Sequence, residues 1–209
     1  MLAPIIAVVV SGLLALLGAE RRVRVLELIF KPLTTTLLLG VVGWPETTFA
    51  RLVAAGVVLS VAGDVALLWH GNGAFIIGLA AFLLAHVAYV IAFAGVGSWS
   101  VGVVVVAALL VVSTGLILRA IWAGAAGLRA PTVVYGLVIS AMVVAAFATL
   151  GGPLAAAPFA AVGSVLFYAS DASLALNRFR RPVPHVAFAT LGLYWIGQVG
   201  IAIAARMAR

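Results

Sequence analysis

Four ionisable side chains interrupt long apolar stretches of this sequence: Lys31, Asp64, His86 and Asp171. Three polar residues lie in similar surroundings: Tyr89, Tyr194 and Gln198. A charge near the centre of a bilayer costs about 2.5 to 3.5 kcal/mol, so such residues usually face a cavity, a partner or a pathway. Two carboxyl groups in one site can share acid-base work, in which one donates a proton and the other activates water or stabilises a cation.

The positions of these residues along their apolar runs predict their depths. Lys31, Asp64 and Asp171 each lie about 9 Å from one end of a run, which places all three at one level of a bundle. Three other residues are expected roughly 13 to 20 Å deep: Tyr194, His86 and Gln198. Together these six side chains outline a funnel, with charge near its mouth and neutral hydrogen-bonding groups at its floor.

A purely structural interpretation of the same residues is also open. Lys31 with an aspartate could form a buried ion pair that holds helices together, although one lysine would leave the second aspartate unexplained. His86 could equally make a helix-to-helix hydrogen bond. The stripe of four residues at helical spacing favours packing over chemistry: Phe82, His86, Tyr89 and Phe93.

The composition identifies the elements that must position these side chains. The chain has 66% hydrophobic and 8% charged residues and a mean hydropathy of +1.33, whereas a soluble domain averages about 25% charged residues. We therefore predict an integral membrane protein in contact with a lipid bilayer. The net charge of +7 comes from arginines in short clusters between apolar runs, a pattern that indicates topology and not a nucleic-acid partner. The absence of cysteine excludes a thiol nucleophile and a thiolate metal site.

A spanning helix needs roughly 20 predominantly apolar residues, and eight such runs are present. The sequence predicts an all-α polytopic bundle that forms a single transmembrane domain over residues 1–209. The expected spans are Leu2 to Gly18, Val25 to Val42, Arg51 to Trp69, Gly73 to Gly95, Val101 to Leu118, Pro131 to Leu150, Leu154 to Leu176 and His185 to Ala205.

The arginines predict the orientation of the bundle. With eight spans, the odd-numbered loops share one face, which carries eight arginines: Arg21, Arg22, Arg24, Arg119, Arg129, Arg178, Arg180 and Arg181. The opposite face has three: Arg51, Arg206 and Arg209. The positive-inside rule places the odd-numbered loops in the cytoplasm and both termini outside. Eleven arginines against one lysine, with many Ala, Val and Gly, indicate a bacterial source and hence the inner membrane.

A weak internal similarity suggests a duplication. Gly63-Asp64-Val65-Ala66-Leu67 in the third span resembles Ser170-Asp171-Ala172-Ser173-Leu174 in the seventh. The similarity predicts two parallel repeats of four helices, over residues 1–97 and 98–209. It leaves the oligomeric state open.

Five motifs in this order resemble the YhhN-type lysoplasmalogenase family over nearly the whole chain: Lys31-Pro32, Gly63-Asp64, Phe82 with His86 and Tyr89, Ser170-Asp171, and Tyr194 with Gln198. The resemblance implies a multi-span hydrolase that cleaves the vinyl ether bond of lysoplasmalogens to a fatty aldehyde and a glycerophospho-alcohol. It implies Asp64 and Asp171 as catalytic residues and a lysophospholipid as substrate, with no cofactor and no metal. The other five polar residues would bind substrate or support the site: Lys31, His86, Tyr89, Tyr194 and Gln198. The segment Tyr194-Trp195-Ile196-Gly197-Gln198 departs from the family pattern, which puts substrate preference in question.

Three other functions fit the same sequence less well. A zinc amidase needs several converging His and Asp ligands, and only His86 is expected deep in the bundle. A proton-coupled small-solute transporter would use intramembrane acids, but the sequence predicts no polar path beyond Gln198. A hydrolase of another ether or ester lysolipid would use the same carboxyl groups.

Overall fold

The computed structural model describes residues 1–182 and 185–208, and in this part of the chain the only long elements are eight α-helices. All eight are long and apolar enough to cross a membrane, which confirms the predicted fold class. They are α1 (Leu2–Arg21), α2 (Arg24–Val42), α3 (Thr48–Ala66), α4 (Asn72–Ala94), α5 (Val101–Ile121), α6 (Arg129–Ala148), α7 (Ala157–Phe179) and α8 (Val186–Met207). Arg209, which contributes to the predicted charge asymmetry, lies outside the described residues.

Local capping explains where several helices begin and end. The Thr47 side chain accepts a hydrogen bond from the backbone N–H of Ala50 at 3.2 Å, so α3 begins three residues earlier than the predicted Arg51. Ser100 caps α5 in the same way, at the predicted start. Helix α1 continues past Gly18 and ends where Arg22 adopts a left-handed conformation, with φ 55°.

Small residues let neighbouring helices approach closely. A Cβ built on Gly163 of α7 would lie 2.5 Å from the carbonyl oxygen of Gly197 on α8, so these two backbones are in direct contact. A Cβ on Gly63 of α3 would lie 2.6 Å from the ring of Phe82 on α4. Close packing of this kind holds transmembrane helices together where lipid leaves little hydrophobic driving force between them.

The packing order turns the polar residues inward. Helix α8 lies against α7, α2, α1 and α3, and α4 lies against α3 and α6. Asp64, His86 and Gln198 are buried between these helices, whereas large apolar side chains face the lipid, for example Leu109 and Val111 of α5. The bundle therefore has a polar interior that is framed by α2, α3, α4, α6, α7 and α8. The predicted duplication into residues 1–97 and 98–209 stays a prediction.

Candidate active site

Asp64 lies at the centre of a cluster of donors from two other helices, α2 and α8. Its Oδ2 atom accepts hydrogen bonds from the Thr35 hydroxyl at 2.5 Å and the Tyr194 hydroxyl at 2.9 Å. Its Oδ1 atom lies 3.6 Å from Lys31 Nζ. The indole N–H of Trp195 donates to Thr35 Oγ1 at 3.1 Å and so fixes that hydroxyl as a donor toward the carboxylate. With an exposed side-chain fraction of 2%, Asp64 is a buried carboxyl group that faces one cation and two hydroxyl donors.

Asp171 lies in a different environment on α7. Its Oδ2 atom accepts a hydrogen bond from the Tyr135 hydroxyl of α6 and lies 3.8 Å from His86 Nε2. Among the described residues, no lysine or arginine forms an ion pair with Asp171. The two aspartates are thus held differently, one by a cation with two hydroxyls and the other by a phenol beside an imidazole.

His86 is fully buried and packs between aromatic rings. Its ring centroid lies 4.7 Å from that of Phe167 and 5.3 Å from that of Tyr135. Neither ring nitrogen has a hydrogen-bond partner among the described residues. Because an unpaired buried polar group costs about 1 to 3 kcal/mol, the imidazole is suited to receive a water molecule or a substrate atom next to Asp171.

A layer of aromatic rings connects the two carboxyl groups. Tyr194, the donor to Asp64, packs on Phe167 with a ring-centroid distance of 5.1 Å, and Phe167 packs on His86. Asp64 and Asp171 therefore belong to one site with an aromatic wall, where a planar unsaturated group would find π-faces on one side.

A second polar network lies beside this cluster. The Tyr89 hydroxyl donates to Gln198 Oε1 at 2.7 Å, and Gln198 Nε2 donates to Ser60 Oγ at 2.9 Å. All three residues are buried, and their bonds lock α3, α4 and α8 together. The expected floor of the funnel stays a prediction, and His86 and Tyr194, two of the residues assigned to it, contact the two carboxyl groups.

Two pockets lie next to this cluster, one bordered by Asp171 and the other by Lys31, the partner of Asp64. The apolar pocket, of about 80 Å³, is bordered by Asp171 and Tyr135, and otherwise mainly by aliphatic and aromatic side chains of α3 to α7. The charged pocket, of about 200 Å³, contains Lys31 and lies at the bundle end that carries the odd-numbered loops. Leu67 and Leu174 line both pockets, so one pair of side chains separates them.

The structure brings all seven predicted site residues into the bundle interior, and it adds residues that the sequence reasoning missed. Thr35 follows Lys31 by one helical turn, a spacing that could have revealed it. Tyr135 has no charged residue within five positions in the sequence, so its contact with Asp171 is visible only from the packing of α6 against α7. Among the described residues, no group of three His, Cys, Asp or Glu could hold a metal ion.

The fold defines a class: a multi-pass helical membrane protein, here with two intramembrane aspartates in its interior and an apolar and a charged pocket next to them. The YhhN family model matches residues 26–205, and the chain belongs to the YhhN family. The chain is 31% identical over 162 residues to lysoplasmalogenase TMEM86B of Homo sapiens. The aligned region covers 77% of this chain and 66% of that protein. It is 29% identical over 163 residues to lysoplasmalogenase TMEM86A of Bos taurus, covering 75% and 65%.

The matched regions span slightly less than two thirds of the length of these relatives. No solved structure matches the chain.

Proposed function

We propose that this chain is a lysoplasmalogenase-type hydrolase that cleaves the vinyl ether bond of a single-chain phospholipid within the membrane. The proposal rests on one observation: Asp64 and Asp171, from helices far apart in sequence, flank one aromatic wall. Asp171 borders the apolar pocket, and Asp64 is paired with Lys31, which lines the charged pocket. The lysoplasmalogenase names of its relatives support the same reaction.

The apolar pocket suits the hydrocarbon chain, because apart from Asp171 and a few hydroxyl groups its lining is apolar. Its volume of about 80 Å³ admits a segment of one chain and not two chains side by side. The charged pocket suits a phosphate-bearing headgroup, since it contains Arg24 and Lys31. The vinyl ether joins the chain to the headgroup portion, so it would lie near the Leu67 and Leu174 boundary, beside the carboxyl groups.

The reaction requires a proton at the β-carbon of the vinyl ether. We assign this donation to Asp171, which borders the apolar pocket and receives a hydrogen bond from Tyr135. Protonation produces an oxocarbenium ion, and the Asp64 carboxylate stabilises that cation and accepts a proton from the attacking water. The water oxygen bonds to the α-carbon, and the resulting hemiacetal collapses to a fatty aldehyde and a glycerophospho-alcohol. The products contain the atoms of the substrate plus one water.

His86 and Tyr194 support this chemistry from opposite sides. His86, whose ring nitrogens lack partners among the described residues, would receive a polar atom of the substrate beside Asp171. Tyr194 keeps the Asp64 carboxylate in position and presents its ring to Phe82 and Phe167. Tyr89 and Gln198 would act at a distance by fixing α4 and α8.

The test is mass spectrometry of lipids incubated with purified protein. An alkenyl lysophospholipid should yield a fatty aldehyde, whereas its saturated alkyl ether analogue, which has no protonatable β-carbon, should remain intact. Cleavage of acyl lysolipids instead would replace this proposal with esterase activity. Movement of a solute across proteoliposomes without any lipid change would favour transport.

A further inference from the structure

Lys31 is the only lysine in the chain, and it lies in the candidate active site. The remaining permanent cations of the sequence are eleven arginines, whose guanidinium groups stay protonated and do not condense with carbonyl groups. A lysine amine, in contrast, can form an imine with an aldehyde. The one lysine amine therefore lies in the site where the proposed reaction would release an aldehyde.

The contacts of Lys31 leave its amine able to react. Its Nζ atom lies 3.6 Å from Asp64 Oδ1, and its side chain is 14% exposed and lines the charged pocket. The other carboxyl oxygen, Asp64 Oδ2, accepts hydrogen bonds from Thr35 and Tyr194. Oδ1 can therefore exchange a proton with the Lys31 amine while Oδ2 keeps both of its hydroxyl donors.

The aldehyde carbon would form close to this amine. In the proposed reaction, Asp64 accepts a proton from the water that attacks the α-carbon of the vinyl ether, so that carbon would lie next to the Asp64 carboxyl group. Leu67 and Leu174 line both pockets, so the carbonyl end of a chain in the apolar pocket would face the charged pocket and Lys31. Departure of the glycerophospho-alcohol would leave amine and aldehyde together in one enclosed site, which raises their effective concentration.

We propose that Lys31 is a covalent modification site for fatty aldehydes, at which the amine and the aldehyde condense to an imine. The imine holds the hydrocarbon chain in the site until water hydrolyses it, so the aldehyde acts as a reversible covalent inhibitor. The inference rests on the proposed function for the source of the aldehyde, and on the position of Lys31 for the condensation.

Asp64 can carry every proton that this condensation moves. It takes one proton from the Lys31 ammonium, the Nζ lone pair bonds to the aldehyde carbon, and the carbonyl oxygen takes that proton to become a hydroxyl. Asp64 then takes a second proton from the nitrogen and passes it to the hydroxyl, which leaves as water while the carbon–nitrogen double bond forms. One ammonium and one aldehyde give one protonated imine and one water, with no oxidation or reduction. The positive charge stays opposite the Asp64 carboxylate.

Reductive trapping tests the inference with the aldehyde supplied directly. Purified protein is incubated with hexadecanal and sodium cyanoborohydride, which delivers hydride to an imine carbon and leaves a stable secondary amine. Peptide mass spectrometry should find the hexadecyl group on Lys31. The matched control is Lys31→Arg combined with Arg119→Lys, which moves the only lysine to an exposed position in the last turn of α5. The relocated lysine should be labelled at least about tenfold more slowly, because no enclosed site holds the aldehyde beside it.

A competitor separates reaction within the site from non-specific reaction with amines. A saturated alkyl lysolipid, which has no vinyl ether to cleave, should slow the labelling of Lys31 and leave that of the relocated lysine unchanged. Absence of label on Lys31, equal rates for the two lysines, or labelling of Lys31 that the competitor does not slow would each overturn the inference. The competition in wild-type protein decides the matter even if the double variant is recovered poorly. Because the aldehyde is added and not produced, these results do not depend on turnover, and aldehyde release from an alkenyl lysolipid tests the proposed function separately.

Discussion

Lys31 and Asp64 form a buried ion pair, and a pair of substitutions separates its structural role from its catalytic one. Asp64→Asn leaves the Lys31 ammonium, 14% exposed, without its counter-ion. Removing one partner of a buried pair typically costs about 3 to 5 kcal/mol. The partial exposure of Lys31 places this case near about 3 kcal/mol, which is roughly 140-fold in the unfolding equilibrium.

The double variant Lys31→Met with Asp64→Asn removes both charges. Because replacing a whole buried pair by neutral groups is often nearly neutral in stability, the double variant should regain most of the lost stability. It should not regain turnover, since the carboxylate that stabilises the cation and accepts the water proton is absent. Thermal unfolding in one detergent, measured beside aldehyde release, reports both quantities on the same samples.

The two readouts distinguish the alternatives. Recovery of stability together with turnover would refute the catalytic role of Asp64 and leave a structural ion pair. A single Asp64→Asn variant as stable as the wild-type protein would show that the ion pair contributes little, against the stability reasoning above.

Three further predictions concern the rest of the site and the orientation of the bundle. Asp171→Asn should lower turnover by a factor of about 10² to 10⁴ while the protein stays folded. Adding Asp64→Asn should lower turnover little further, because both groups serve one reaction. Full aldehyde release by Asp171→Asn would reject the assignment of Asp171 as the proton donor. Tyr135→Phe should reduce kcat by about 10- to 100-fold, because one hydrogen bond to a buried charged group contributes about 1.5 to 3 kcal/mol. Tyr168→Phe, which removes a phenol bonded to neutral hydroxyls, should change kcat less in the same assay. A reporter enzyme fused at the C-terminus should be active outside the cytoplasm, and one inserted near Arg180 should be active in the cytoplasm. The reverse pattern would show that the bundle has the opposite orientation.

The number of helices and the identity of the intramembrane polar residues were determined by the sequence itself. Both follow from the length of uninterrupted apolar runs, which is a local property. The level shared by Lys31 and Asp64 was also predictable, because helical rise converts residue counts into depth. The observed helix ends differ from the predicted ones by a few residues, for example at α3, where the Thr47 side chain caps the first turn.

The partners within the site were decided by tertiary structure alone. A depth along the membrane normal says nothing about the rotation of a helix about its axis or about which helix lies next to it. The rotation of each helix and the identity of its neighbours place Lys31 against Asp64, and they place Tyr135 and His86 against Asp171. They are set by close contacts between residues distant in the chain, such as Gly163 against Gly197 on the two helices that carry Asp171 and Tyr194.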